Sequence, residues 1–359
     1  MEKLEKTIKK IGAIDARLME KAQKRLDNLT KPQGSLGRLE DIAKQIVGIT
    51  GKENPILKNK VIFTMAGDHG VVEEGVSAFP QEVTPQMVYN FLRGGAGINV
   101  LARHVGARVI VIDMGVASKL DIPKPGSENF VDRKIALGTK NMAKGRAMTR
   151  DEAVSAIEAG IDVFEKEFIK GIDICGTGDM GIGNTTPSSA IVAAITRAAV
   201  SDITGRGTGI DDKALANKIK VINKALAVNK PDPEDAIDVL SKVGGFEIGG
   251  LSGIILASAA NRVPVLIDGF ISGAAALIAY KLEPKVKDYM IASHCSVEKG
   301  HRIALNFMGL KPLLDFDMRL GEGTGAALGM GIAEAGIKIM TEMATFESAA
   351  VSERIDNKI

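Results

Sequence analysis

Short apolar runs and stretches of helical periodicity alternate along most of this chain. In the first 50 residues Leu36, Leu39, Ile42, Ala43, Ile46 and Val47 recur at helical spacing behind Ser35. That spacing predicts an amphipathic helix with Ser35 as its N-cap. A Pro/Gly-punctuated turn, TKPQGSLGR (30–38), separates it from a preceding helix. From residue 60 onward six apolar runs read as strands: KVIFTMA (60–66), RVIVIDM (108–114), GIDICGT (171–177), VPVLID (263–268), DYMIASH (288–294) and KPLLDFD (311–317). Helix signals fall between them. Thr149 and Glu152 form a capping box that opens 149–170, and Asp232 with Pro233 predict an N-cap and first helical residue. The most apolar stretch, 251–280, is broken by Asn261, Arg262 and Asp268, so it reads as a buried strand flanked by helices and not as a membrane span.

Strands alternating with helices predict an α/β fold with a doubly wound, mostly parallel sheet. The last long helix, roughly 324–346, can return to pack on the N-terminal helices. Composition narrows the function. Lys+Arg is 46 and Asp+Glu is 44 in 359 residues, a net charge of +2 that argues against a general nucleic-acid binder. Aromatics are 4% and tryptophan is absent, which disfavours stacking platforms for single strands. Two distant cysteines, Cys175 and Cys295, exclude a disulfide framework or a zinc finger and read as small buried hydrophobes. The opening MEKLEKTIKK has no signal-peptide core, so a soluble, cytoplasmic protein without membrane partners is expected.

Glycine, at 40 residues, is about 11% of the chain against a usual ~7%. Much of the excess sits just after the predicted strands, where ligands bind in such sheets. GDMGIGNTT (178–186) precedes a helix starting near Thr186–Pro187; GRGTGIDD (205–212) precedes a helix carrying Lys218; GEGTG (321–325) opens the last helix. Glycine lets the backbone approach a ligand, and helix N-terminal amides attract phosphate. Three such turns point to a phosphorylated ligand. The chain has no GxxxxGK[ST], no GxGxxG after the first strand, no HExxH and no GxSxG, which disfavours P-loop, dinucleotide, zinc-peptidase and hydrolase readings.

Seven ordered motifs carry a family resemblance: KPQGSLGRLE (31–40), AGDHGVVEEGVSAFPQEVTPQMV (66–88), GDMGIGNTT (178–186), GGFEIGGLSG (244–253), DGFISGAAAL (268–277), SHCSVEKGH (293–301) and RLGEGTGAAL (319–328). From about residue 20 to 345 the chain resembles the nicotinate-nucleotide:dimethylbenzimidazole phosphoribosyltransferases. The resemblance implies transfer of phosphoribose from nicotinate mononucleotide to 5,6-dimethylbenzimidazole, giving nicotinate and α-ribazole 5′-phosphate with inversion. It implies a homodimer without metal or other cofactor. The implied division is N-terminal helices of a small domain (1–50), a Rossmann-like catalytic domain (51–325) and a C-terminal segment returning to the small domain (326–359). Two alternatives stand beside it: a same-fold transferase with another acceptor base or phenol, and a non-catalytic phosphosugar or nucleotide binder.

The same resemblance places the site. Glu322 matches the catalytic glutamate, a general base for the benzimidazole proton; the plain alternative is an acid favourably placed at a helix N-terminus. Asp179 stands where the family usually has glutamate, and reads otherwise as a turn aspartate. Gly181, Gly207, Lys218 and Ser296 match positions around phosphate and ribose, although Lys218 by itself looks like one more solvated lysine. Asp268, Leu320 and Gly321 lie in matched substrate-binding motifs. Ser77, Phe79, Pro80, Gln81, Gln86 and Met180 are candidates for the base pocket, with Phe79 and Gln86 the two carried forward alongside Met180. His69, after Asp68, reads as a structural histidine bonded to loop backbone.

Overall fold

The computed structural model describes residues 1–122 and 128–352; the end of the expected 326–359 segment, 353–359, lies outside them. Six strands form one sheet: β1 (Lys60–Gly67), β2 (Ala107–Gly115), β3 (Phe130–Asp132), β4 (Ile174–Met180), β5 (Val265–Ile267) and β6 (Met290–Ala292). Their spatial order is β3-β2-β1-β4-β5-β6 and every pairing is parallel. Strand order therefore reverses between β1 and β4, as in a doubly wound Rossmann-type sheet. β1 is buried along its whole length, which is why it reads as an unbroken apolar run.

Parallel neighbours require crossovers, and helices supply them. Ahead of the sheet come α1 (Glu2–Lys9), α2 (Ala16–Asp27) and α3 (Arg38–Thr50). Between β1 and β2 lie α4 (Val83–Leu92) and α5 (Gly97–Val105), and α6 (Arg150–Phe168) precedes β4. The long β4–β5 connection holds α7 (Thr185–Thr196), α8 (Val200–Ile203), α9 (Asp212–Asn229), α10 (Ala236–Val243) and α11 (Phe246–Ala260). After β5 come α12 (Phe270–Leu282), α13 (Lys299–Met308) and α14 (Thr324–Glu342). Alternate residues of β1 serve two cores. Val61, Phe63 and Met65 join the core under α6, α11 and α12; Ile62 and Ala66 join the one under α2, α3, α5 and α14. The N-terminal helices and α14 therefore share apolar packing with one face of the sheet.

Five of the six predicted strands appear. The segment 311–317 is not one: it contributes an isolated bridge between Leu314 and His294 and is otherwise half-buried to exposed, so no alternating buried face exists to fix it. β3 is absent from the sequence reading because three residues paired at an edge leave almost no pattern. β4 runs later than its apolar stretch, to Met180, so Asp179 is a strand residue and not a turn aspartate. The 149–170 capping box forms as read. Two caps move: α3 begins after Gly37, with Glu40 accepting from the Leu36 amide, and α10 is capped by Asp235, whose side chain accepts from Ile237 and Asp238. No helix among the described residues is long and apolar enough to cross a membrane.

Candidate active site

The reversal of strand order opens a crevice beyond the carboxyl ends of β1 and β4, and a cavity of about 490 Å³ occupies it. Asp179 and Met180 at the end of β4 and Gly181 just beyond form its floor. Ser77, Phe79, Leu320, Gly321, Gly207 and Thr208 also line it, and Arg319 Nη1 donates to the Gly207 carbonyl at 3.4 Å. The back wall comes from the start of α12 and from His294, Ser296 and Glu298 after β6. Phe79 and Leu320 are half exposed, so the apolar end opens to solvent.

Glu322 occupies a strained turn. Its φ is 64°, between Gly321 at 80° and Gly323 at 103°, a left-handed conformation that only the surrounding contacts can sustain. Those contacts are specific. Thr64 Oγ1 donates to the Glu322 carbonyl at 2.9 Å, and a Cβ on Gly178 would lie 2.2 Å from that same oxygen. Glycine at 178 is thus what lets the turn lie against β4. The carboxylate accepts the Ile98 amide at 3.0 Å, at the N-terminus of α5. Burial raises its pKa, and the nearby Asp268 charge adds to that, against the amides of Ile98 and Gly97.

Two further carboxylates surround it. Asp179 is buried; Oδ2 accepts from Asn184 Nδ2 at 2.9 Å and Oδ1 has no protein partner. Burial, followed by the charges of Asp268 and Glu247, holds its pKa well above the ordinary carboxylate range. Asp268 has a structural task. Its carboxylate accepts the amides of Gly323 and Ala326, at 3.1 and 3.0 Å, and so caps α14 and secures the Glu322 turn.

A buried cation lies beside the Gly207 turn. Lys218 on α9 is buried, not solvated, and donates to Thr185 Oγ1 at 2.6 Å. Its Nζ would lie 3.4 Å from a Cβ on Gly207, so the charge sits directly behind that loop. Burial lowers its pKa to about 8, and the Glu298 charge opposes the shift. Glu298 Oε1 accepts the Gly207 amide at 2.9 Å, while Oε2 is unpartnered. Ser296 donates its amide to His301 Nδ1 at 3.0 Å, and burial lowers the His301 pKa to about 3. Neutral His301 is therefore an acceptor that fixes the Ser296 loop.

A phosphoribosyltransferase family model matches residues 11–351. The chain is 60% identical to the nicotinate-nucleotide–dimethylbenzimidazole phosphoribosyltransferase of Geobacter sulfurreducens, over 98% of this chain and 99% of the relative. It is 59% identical to the enzyme of that name from Desulforudis audaxviator, again over 98% and 99%. The chain belongs to the nicotinate-nucleotide–dimethylbenzimidazole phosphoribosyltransferase family. A crystal structure of the Thermus thermophilus family member superposes with a TM-score of 0.89 at 40% identity, covering 95% of this chain and 100% of that one.

Within this phosphoribosyltransferase fold, Phe79, Asp179, Met180, Gly181, Gly207, Ser296, Leu320 and Gly321 line the cleft together. Glu322, Asp268 and Lys218 stand immediately behind that lining, each engaged with backbone or with a hydroxyl. Gln86 is apart: it lies exposed on the first turn of α4, outside the cleft lining. His69 also departs from expectation. Its Nε2 lies 2.9 Å from Glu247 Oε1 in a fully buried charge contact, and no loop carbonyl accepts from the ring. Burial disfavours its charge, but the Glu247 carboxylate outweighs that and raises its pKa. Sequence reasoning passed over Glu298, His294 and Thr185. The first two lie inside the quoted SHCSVEKGH motif, where each looks like an ordinary loop residue.

Proposed function

We propose that the chain transfers phosphoribose from nicotinate mononucleotide to 5,6-dimethylbenzimidazole, releasing nicotinate and forming α-ribazole 5′-phosphate. The observation that carries this reading is 60% identity, over 98% of this chain, to an enzyme named for that reaction. The chemistry demands little. The pyridinium leaves as its nitrogen regains a lone pair, and the attacking benzimidazole must lose the proton on its other nitrogen. Glu322 is assigned as the general base. In its resting position it caps α5, so it reaches the acceptor by a side-chain rotation away from the Ile98 amide. Asp179 is assigned to hold the acceptor or ribose, and Lys218, Gly207 and Ser296 to hold the phosphate. Phe79, Met180 and Leu320 supply flat apolar contact for the base, and Gly181 and Gly321 close backbone approach.

The test is direct. Purified protein is incubated with nicotinate mononucleotide with and without dimethylbenzimidazole, and both products are followed chromatographically. Base-dependent nicotinate release matched by α-ribazole 5′-phosphate is expected. Binding of the nucleotide without turnover, for any benzimidazole, phenol or purine acceptor, would make the protein a binder and sink the assignment.

A further inference from the structure

Three side chains that line the cleft keep a buried polar atom without a protein partner among the described residues: Asp179, His294 and Glu298. Glu298 differs from the others in standing near a buried cation. Its charge favours the ionised form of Lys218, against the burial that disfavours it. Glu298 holds the N-cap position of α13, yet its side chain makes no capping bond to that helix. Instead Oε1 accepts the Gly207 amide at 2.9 Å, across 91 residues of chain.

The Gly207 turn is shaped around that carboxylate. A Cβ on Gly205 would lie 2.2 Å from Oε2 and 2.6 Å from Cδ, so glycine there leaves the carboxylate its seat. Gly207 itself has φ 52°, and a Cβ on it would lie 2.9 Å from Thr185 Oγ1 and 3.4 Å from Lys218 Nζ. Donors assigned to the phosphate are therefore already engaged within the chain, the Gly207 amide by Glu298 and Lys218 by Thr185. A phosphate that takes the Gly207 amide displaces a carboxylate from it. One that settles beside the carboxylate brings like charges together in a buried site, where they repel strongly.

We infer that Glu298 is a positioning residue and the internal counter-anion of the phosphate site. It holds the Gly207 turn and balances Lys218 before the nucleotide binds, and it yields the amide to the incoming phosphate. The inference rests on the phosphoribosyltransfer reading. Two effects of the carboxylate oppose each other. It keeps the turn formed and the lysine charged, which prepares the site. It also competes with the ligand for the same partners, which lowers affinity. The phosphate takes no part in the bond that breaks and is common to nucleotide and product. The competition therefore acts alike on substrate, transition state and product. Uniform binding of this kind sets KM and product release and not the chemical step.

The experiment measures ribose 5-phosphate binding by calorimetry near neutral pH, in the full-length wild type and in Glu298→Gln. Neutral pH lies below the Lys218 value of about 8, so the lysine is charged. Glutamine keeps an acceptor for the Gly207 amide and removes the competing charge. The variant should bind ribose 5-phosphate about 10-fold more tightly, since opposed like charges are costly. In turnover, KM for nicotinate mononucleotide should fall by a similar factor with no gain in kcat, while KM for dimethylbenzimidazole stays within about threefold of wild type. Unchanged or weaker binding of ribose 5-phosphate would overturn the inference, and weaker binding would make Glu298 a group that holds the ligand directly. If the glutamine variant does not fold, Gly205→Ala decides, because its methyl would evict the same carboxylate. It too should tighten binding, and unchanged or weaker affinity there overturns the inference equally. Nicotinate release that needs dimethylbenzimidazole tests the transferase reading separately. If that release is absent, ribose 5-phosphate binding still decides the role of Glu298. Wild-type protein that does not bind ribose 5-phosphate would remove the phosphate site and the inference with it.

Discussion

The proposed general base, Glu322, sits in a strained turn with φ 64°. Replacing it with glutamine keeps shape and hydrogen-bonding atoms and removes basicity. General-base catalysis contributes roughly 10²–10⁴-fold, so Glu322→Gln should lower kcat by about that factor and leave nucleotide KM largely unchanged. Stopped-flow or steady-state assay of nicotinate release reads this directly. The pH sign follows from burial, which raises the carboxyl pKa. The active form is the carboxylate, so wild-type kcat should be full above the raised value and fall as pH drops through it. The glutamine variant should lack that acid limb. Acceptors of different basicity separate this limb from protonation of the benzimidazole itself. A wild-type kcat in the variant would transfer catalysis to positioning of the nucleophile.

Lys218 and Asp179 make the other residue-scale cases. Lys218→Ala removes a buried cation from behind Gly207 and leaves Thr185 without its donor. A lost charge-assisted contact is worth ~1.5–3 kcal/mol, so nucleotide KM should rise about 10- to 150-fold with little change in KM for the benzimidazole. Asp179→Glu restores the usual family residue and should keep or raise activity, whereas Asp179→Ala should lower kcat/KM for the base. An alanine variant indistinguishable from wild type in that parameter would reduce Asp179 to part of the strand end.

At the scale of elements, the site depends on how closely α14's entry turn lies on β4. A methyl on Gly178 would meet the Glu322 carbonyl at 2.2 Å and the Gly323 amide at 2.8 Å, both backbone atoms. Gly178→Ala must therefore push the turn outward. Overpacking of this kind costs ~1–3 kcal/mol, and calorimetric melting should register it. Because the displaced residue is Glu322, kcat should fall more than the stability loss alone explains, and a variant with normal kcat and lowered Tm would show that the turn tolerates the shift. Elements such as β1, β2 and α6 were legible in the sequence because burial on both faces, or a capping box, writes a strong local pattern. The bridge at Leu314 and the three-residue β3 were not, since their pairing is decided by neighbours distant in sequence. The same holds within the site. Glycine turns and the Glu322 motif could be read, but the burial of Lys218, the His69–Glu247 contact and the bare nitrogens of His294 are products of packing between α9, α11, α12 and the strand ends.

For the molecule as a whole, the family resemblance implies pairing of two chains, and we expect a homodimer. A net charge of +2 gives little electrostatic self-repulsion to oppose association. Phe79 and Leu320 leave large apolar surface at the mouth of the cleft, 49% and 60% exposed. A second copy closing over that end would desolvate the acceptor base and strengthen every charge contact within. Light scattering at micromolar concentration should give a mass near twice 37.9 kDa, and a mass near that of one chain would count against pairing. Activity carries independent information. If pairing completes the acceptor end, specific activity should fall on dilution through the dissociation range, with KM for dimethylbenzimidazole rising and KM for the nucleotide steady. The asymmetry follows from the partners: Lys218 and Gly207 are held by Thr185 and Glu298 of the same chain.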